Sequence, residues 1–223
     1  MVKIKDYHVP ETDTHFIGYL KNFDHYQEAQ RNRAISYVED WDFAIDIGAN
    51  IGLWSRDLSK YFNQLVCFEP NPLCQDYLKK NISMKNSKIY NYALGESEES
   101  KNLFLHPTNS GASSLVNRTK LAIIDDNSFI YGEFSKDTPT VEVAVKKLDT
   151  FNFNKIDFIK IDVQGFELSV LKGAKKTLKK NNPVLCVEED DPKNSLVIPY
   201  LEELDFEIVD VVNKEHIFKK NKY

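Results

Sequence analysis

From residue 43 onward, short apolar runs alternate with longer stretches in which apolar residues return every three or four positions. The runs 43–47 (FAIDI), 65–69 (LVCFE), 157–162 (DFIKID) and 183–189 (PVLCVEE) have the length and continuous apolarity of strands buried on both faces. Residues 88–94 (KIYNYAL) predict a further strand. The stretches 53–62 (LWSRDLSKYF), 73–82 (LCQDYLKKNI) and 195–204 (SLVIPYLEEL) have helical periodicity, with Pro199 marking a kink in the last. Leu168, Leu171, Ala174 and Leu178 fall on one helical face, so the lysines of KGAKKTLKK (172–180) form its wet side. Strands alternating with helices predict an α/β fold with a parallel sheet covered on both faces. The end differs. FEIVDVV (206–212) and HIFKK (216–220) are joined by NKE, too short for a crossover, so they pair antiparallel. The expected architecture is a Rossmann-like doubly wound sheet, mostly parallel, with one antiparallel C-terminal strand.

Two segments break the rhythm. Residues 95–139 are rich in Ser, Asn, Lys and Asp, with a strand candidate at 102–106 (NLFLH), and predict an excursion over one end of the sheet; TVEVAV (140–145) then alternates as a strand. Residues 1–40 predict an N-terminal helical extension, its helix over 25–40, ahead of a main domain spanning 41–223.

Composition narrows the function classes. With 223 residues, 42% of them hydrophobic, the chain can bury one sizeable core. A net charge of −5 argues against a nucleic-acid surface. No run approaches the ~18 apolar residues of a membrane span, and the first thirteen residues lack the apolar core of a secretion signal. Three cysteines at no zinc or redox spacing suit a reducing, cytoplasmic setting. Scattered histidines give no metal site.

The candidate chemistry starts at AIDIGANIGLW (44–54). A dinucleotide cradle needs glycines in the pattern G-x-G-x-x-G, whereas Gly48 and Gly52 stand four apart with Asn50 between. That register is wrong for a pyrophosphate, and Asp46 just before it suits an ammonium group. Glu69, ending the next strand, would face the same crevice and accept from both hydroxyls of a ribose. A sheet ending in one reversed strand with these motifs resembles the S-adenosylmethionine-dependent methyltransferases. Gly48, Asn50 and Gly52 would then shape a turn whose backbone N–H groups meet the methionine end of the cofactor. Asn71 would sit near the adenine edge, and Ala93 and Leu94 would pack on the adenine ring.

The order of IDIGANIGLWS, VCFEPNP, NYALGE, SGASSL, VEVAVKKLDTF and DFIKIDVQGFELSVLKGA, over about residues 43–190, resembles the FkbM-type methyltransferases. The resemblance implies methyl transfer to oxygen, on a hydroxyl of a sugar or similar small molecule or glycan. Many members carry Glu where this chain has Gln164. Asp162, ending its strand at the crevice, is the first candidate to take the acceptor's proton, and Glu188 on the next strand the second. Glu167 reads as a first-turn acid complementing a helix dipole. In the loop HPTNSGASSL (106–115), Ser113 and Ser114 match the family motif, and with Gln164 and His106 they are candidates for acceptor binding. Two other functions fit the fold: a dinucleotide-dependent oxidoreductase, and a non-catalytic Rossmann-like binding module.

Overall fold

The computed structural model describes residues 1–117, 134 and 137–220. Its centre is a seven-stranded sheet built from β3 (Phe43–Ile47), β4 (Gln64–Phe68), β5 (Ser87–Tyr90), β9 (Phe158–Ile161), β10 (Val184–Glu188), β11 (Phe206–Val212) and β12 (Glu215–Lys220), in the order β11-β12-β10-β9-β3-β4-β5. β3, β4, β5, β9 and β10 pair in parallel, and β12 runs antiparallel to both β10 and β11. The one reversed strand expected from the three-residue turn is therefore β12.

Both sheet faces are covered, which explains the continuous apolarity of the central strands. Ile45, Ile47, Ile161, Leu185 and Val187 pack with α5 (Glu167–Gly173), α6 (Lys175–Lys180) and α7 (Val197–Glu202). Ala44, Cys67, Phe158 and Cys186 on the opposite face pack with α2 (Glu28–Ile35), α3 (Leu53–Tyr61) and α4 (Gln75–Asn81). The switch of sides at the β3–β9 junction opens the sheet's C-terminal edge, where ligands bind in folds of this kind.

Four expectations need correction. The run 88–94 is not one strand. β5 stops at Tyr90, and Ala93–Leu94 form β6 of a separate three-stranded sheet, ordered β6-β8-β7, with β7 (Glu99–Phe104) and β8 (Thr140–Lys146). The lysine-bearing helix is broken at Ala174 into α5 and α6, because Asp149 accepts the Lys176 and Thr177 N–H groups and caps a second start there. The helix of 25–40 is confined to α2, behind Gln27 in the left-handed region at φ 47°. Residues 1–13 hold a hairpin, β1 (Val2–Ile4) with β2 (Tyr7–Val9), before α1 (Thr14–Asn22). This segment packs on the body: Tyr7, Val9, Phe16 and Leu20 share a buried cluster with Ile51, Leu53 and Cys74, and Asn81 bonds both the N–H and the carbonyl of His8. The middle of the 95–139 excursion lies outside the described residues.

Candidate active site

The glycine turn joins β3 to α3 with three residues at positive φ: Gly48 (80°), Asn50 (50°) and Gly52 (87°). At Gly48 the constraint is double, since a Cβ would lie 1.9 Å from the Asp162 carbonyl oxygen. Gly52 faces away from the crevice; its missing Cβ makes room for Leu78 and Ile82, near α4. The N–H groups of the turn are used internally. Gly48 and Ala49 donate to the Phe68 carbonyl (2.9 and 3.1 Å), Asn50 to Glu69 Oε2 (2.7 Å), Ile51 to Asn50 Oδ1 (2.6 Å) and Gly52 to the Ala49 carbonyl (2.8 Å). This corrects the expectation that they meet a ligand. The donors left at this end belong to the first turn of α3, which has no side-chain cap.

Above the turn lies a cavity of about 330 Å³, within the range of small-molecule sites. One part is walled by Phe68, Tyr92, Ala93, Leu94 and Leu115, with Glu69 among them. Each Glu69 oxygen takes one backbone N–H, Oε2 from Asn50 and Oε1 from Asn71, both at 2.7 Å, leaving acceptor capacity on the carboxylate. Burial outweighs those bonds and lifts its carboxyl to about 7. Ala93 and Leu94 reach the cavity as expected, from the small sheet rather than from the central one. Asn71 does not line it; its side chain turns back to accept the Leu73 N–H at 3.0 Å. His106 does not line it either, and its Nδ1 accepts from the Thr108 and Asn109 N–H groups (3.3 and 3.1 Å).

Strand register builds the other part. On the sheet face carrying α2 and α3, Asp46, Lys160, Cys186 and Ile217 lie side by side across β3, β9, β10 and β12. Two residues further on, the same face carries Gly48, Asp162, Glu188 and Glu215, the last two directly opposed. Asp46 does not line the cavity. It is fully buried below it, its Oδ2 accepting from Ser55 (2.5 Å) and its Oδ1 3.5 Å from Lys160 Nζ. Lys160 Nζ is also 3.3 Å from Asp162 Oδ2 and sits 5.6 Å from the centroid of the Trp54 ring.

Gln164 ties the carboxyls together. It sits in the left-handed region at φ 57°, and its Nε2 donates to Asp162 Oδ1 (2.8 Å) and Glu188 Oε2 (2.6 Å). Glu167 holds this turn through Oε1, which accepts the Val163 and Gly165 N–H groups (3.0 and 3.1 Å), a more specific task than dipole complementation. Burial pushes the Asp162 carboxyl up, but Lys160 and hydrogen bonds from Glu188, Gln164 and Lys160 outweigh it and hold it below the usual range. Burial and then the Asp162 charge push Glu188 well above it. The two neighbours are thus shifted in opposite directions, Asp162 down and Glu188 up.

The loop 106–115 roofs the cavity. Ser113 and Ser114 line it, although the Ser114 hydroxyl donates to the Gln164 carbonyl (2.7 Å) and the Ser113 hydroxyl accepts the His106 N–H (3.2 Å). Ser110 Oγ lies 2.7 Å from Asp13 Oδ2 and 2.9 Å from Asn50 Oδ1, joining the N-terminal segment, the roof and the glycine turn. His15, Tyr26, Gln27 and Trp54 are also in the lining, with Trp54 Nε1 donating to Gln27 Oε1 at 2.6 Å. Lys160 had left a signal in the sequence, a charge inside the buried run FIKI, whereas Tyr26 and Gln27 lie in a segment without a motif.

A mostly apolar cleft, a buried carboxylate at a strand tip and an uncapped helix start fit a nucleoside bearing an amino-acid tail, the chemistry of S-adenosylmethionine. Among the described residues no group of three or more His, Cys, Asp or Glu is placed to hold a metal ion.

The family model for the methyltransferase FkbM domain matches residues 46–208. The methyltransferase sdnD of Sordaria araneosa is 30% identical over 154 residues, covering 59% of this chain and 60% of that protein. The 2-O-methyltransferase NoeI of Sinorhizobium fredii is 28% identical over 156 residues, covering 66% and 63%. These matches span about three-fifths of the relatives' length. The crystal structure of methyltransferase FkbM from Methylobacillus flagellatus superimposes with a TM-score of 0.53 at 15% identity, over 82% of this chain and 45% of that one, a likeness of fold.

Proposed function

The chain belongs to the FkbM methyltransferase family, whose members use S-adenosylmethionine, and on that premise we propose that it methylates a hydroxyl of a carbohydrate or similar small molecule. The observation that carries this reading is the pair of neighbouring carboxyls, Asp162 and Glu188, bridged by Gln164 on the cavity wall, the first held below and the second pushed above the ordinary carboxyl range. A hydroxyl is a poor nucleophile that must shed its proton as the new C–O bond forms, and a carboxylate within hydrogen-bond reach can accept it. The proton acidifies sharply as the oxygen is alkylated, so even a carboxylate held low in pKa is basic enough to take it.

The bound cofactor supplies an activated methyl group. The protein's own part is to hold the acceptor oxygen in line with it, and placement of this kind lowers barriers by about 7–11 kcal/mol in favourable cases. Glu69 would grip the ribose. Tyr26, Gln27, His15 and the 106–115 roof would shape the acceptor side. NoeI, a 2-O-methyltransferase by name, supports the choice of oxygen.

The test is an acceptor screen with methyl-labelled S-adenosylmethionine. The expected product is a base-stable methyl ether, absent with Asp162→Asn although that variant still binds S-adenosylhomocysteine. A base-labile ester or a methylated amine as the main product, or full turnover by Asp162→Asn, contradicts the reading.

A further inference from the structure

Lys160 is a buried cation, its side chain 6% exposed. A structural lysine needs one counter-charge, and Asp46 supplies it. The geometry asks for more. Nζ lies nearer to Asp162 Oδ2 (3.3 Å) than to Asp46 Oδ1 (3.5 Å), while Ser55 fixes the other oxygen of Asp46 from α3. Asp46 is thereby a fixed footing beneath the ammonium, and the Trp54 ring closes in on it from α3. On its opposite side Asp162 is held by Gln164, leaving a carboxylate pinned at one oxygen by an ammonium and at the other by an amide.

We propose that Lys160 is a positioning residue: anchored on Asp46 beneath the glycine turn, it fixes the Asp162 carboxylate and makes Asp162, not Glu188, the ionised member of the pair. The charged and titratable groups around it are Asp46 on β3, Cys67 on β4, Glu69 after β4, Asp162 after β9, Cys186 and Glu188 on β10, Glu215 on β12 and Tyr26 before α2. Apart from Lys160 these are acids or neutral, and Lys214, the other lysine lining the cavity, acts on Glu215; the ammonium in contact with Asp162 is that of Lys160, which thereby separates two neighbouring carboxyls that would otherwise compete for one proton. The proposal rests on Asp162 being the working carboxylate, but its test does not need the acceptor.

The measurement is a ¹³C carboxyl NMR titration of the full chain, with resonances assigned through Asp162→Asn and Glu188→Gln. In the unsubstituted protein Asp162 should ionise below 3.8 and Glu188 above 4.5. In Lys160→Met the Asp162 midpoint should rise by about one pH unit or more, and Lys160→Arg should restore most of the difference. An unmoved Asp162 midpoint in folded Lys160→Met overturns the proposal. So does Glu188 ionising before Asp162 in the unsubstituted protein, a result that stands even where Lys160→Met does not fold. Turnover by Asp162→Asn is a separate outcome that bears on the reaction, so the two readings fail independently.

Discussion

Gln164 shows what a neutral side chain achieves where acids crowd. Its amide donates to both Asp162 and Glu188, an arrangement a carboxylate could not reproduce without a proton of its own. Gln164→Glu keeps the shape and the left-handed backbone while placing a third carboxyl between two others. Its pKa would be raised by that company, so the associated stability is present at low pH and lost as pH rises. The variant should lose about 1–3 kcal/mol at pH about 8, from replacing two donated hydrogen bonds, and recover part of it near pH 5. Urea unfolding at the two pH values measures this; equal stability of variant and parent at both would contradict the role given to the amide. The sequence marked this position as a departure from the family's pattern and placed Asp162, Glu188 and Glu69 at strand ends on one edge of the sheet, the first two on the neighbours β9 and β10. It misdirected Asp46, because a strand pattern gives the face of a side chain but not its depth, and a buried lysine beneath the turn claims that carboxylate.

At the scale of elements, the site depends on how closely β3 and β9 approach. Gly48→Ala would put a methyl group against the Asp162 carbonyl in a backbone conformation disfavoured for alanine, and should cost about 2 kcal/mol or more of stability. Denaturant unfolding that gives an unchanged midpoint would show that the two strand ends can part freely. The roof is tied down differently. Asp13 Oδ1 accepts the Phe16 N–H at the start of α1, and Oδ2 accepts from the Ser110 N–H and hydroxyl. Asp13→Ala should lose about 1 kcal/mol through the cap alone and should raise proteolytic nicking within 106–115; an unchanged cleavage rate would uncouple the roof from the N-terminal segment. The buried strands and α3 were legible because continuous apolarity and helical spacing are local signals. The split of 88–94 into two sheets was not, since Tyr90 and Ala93 differ in partners rather than in pattern. The β1–β2 hairpin was equally silent: its strands have three residues each, too few to show alternation.

Across the whole molecule, buried acids give stability a pH dependence of known sign. Burial is the first cause of the rise of Glu69, Glu167 and Glu215 to about 7 each from an ordinary 4.5. For acids raised on folding, the contribution is fully present below about 4.5 and is lost as pH rises through about 7. Asp162, held low, works the other way, its contribution lost as pH falls below the usual carboxylate range. The ligand-free protein should therefore be most stable at a mildly acidic pH, and its thermal midpoint should fall between pH about 5 and about 8. Glu215→Gln, which neutralises a carboxyl whose Oε2 has no hydrogen-bond partner among the described residues, should flatten that fall. A slope as steep as the parent's would remove Glu215 from the balance. The most direct test of the account as a whole is calorimetric titration of the unsubstituted protein and of Glu69→Ala with S-adenosylhomocysteine, S-adenosylmethionine and NAD. Both sulfur ligands should bind and NAD should not, with an affinity loss of about tenfold or more in a folded Glu69→Ala, as expected for removing charge-assisted hydrogen bonds. Binding of NAD alone, or an unchanged affinity in Glu69→Ala, would contradict it.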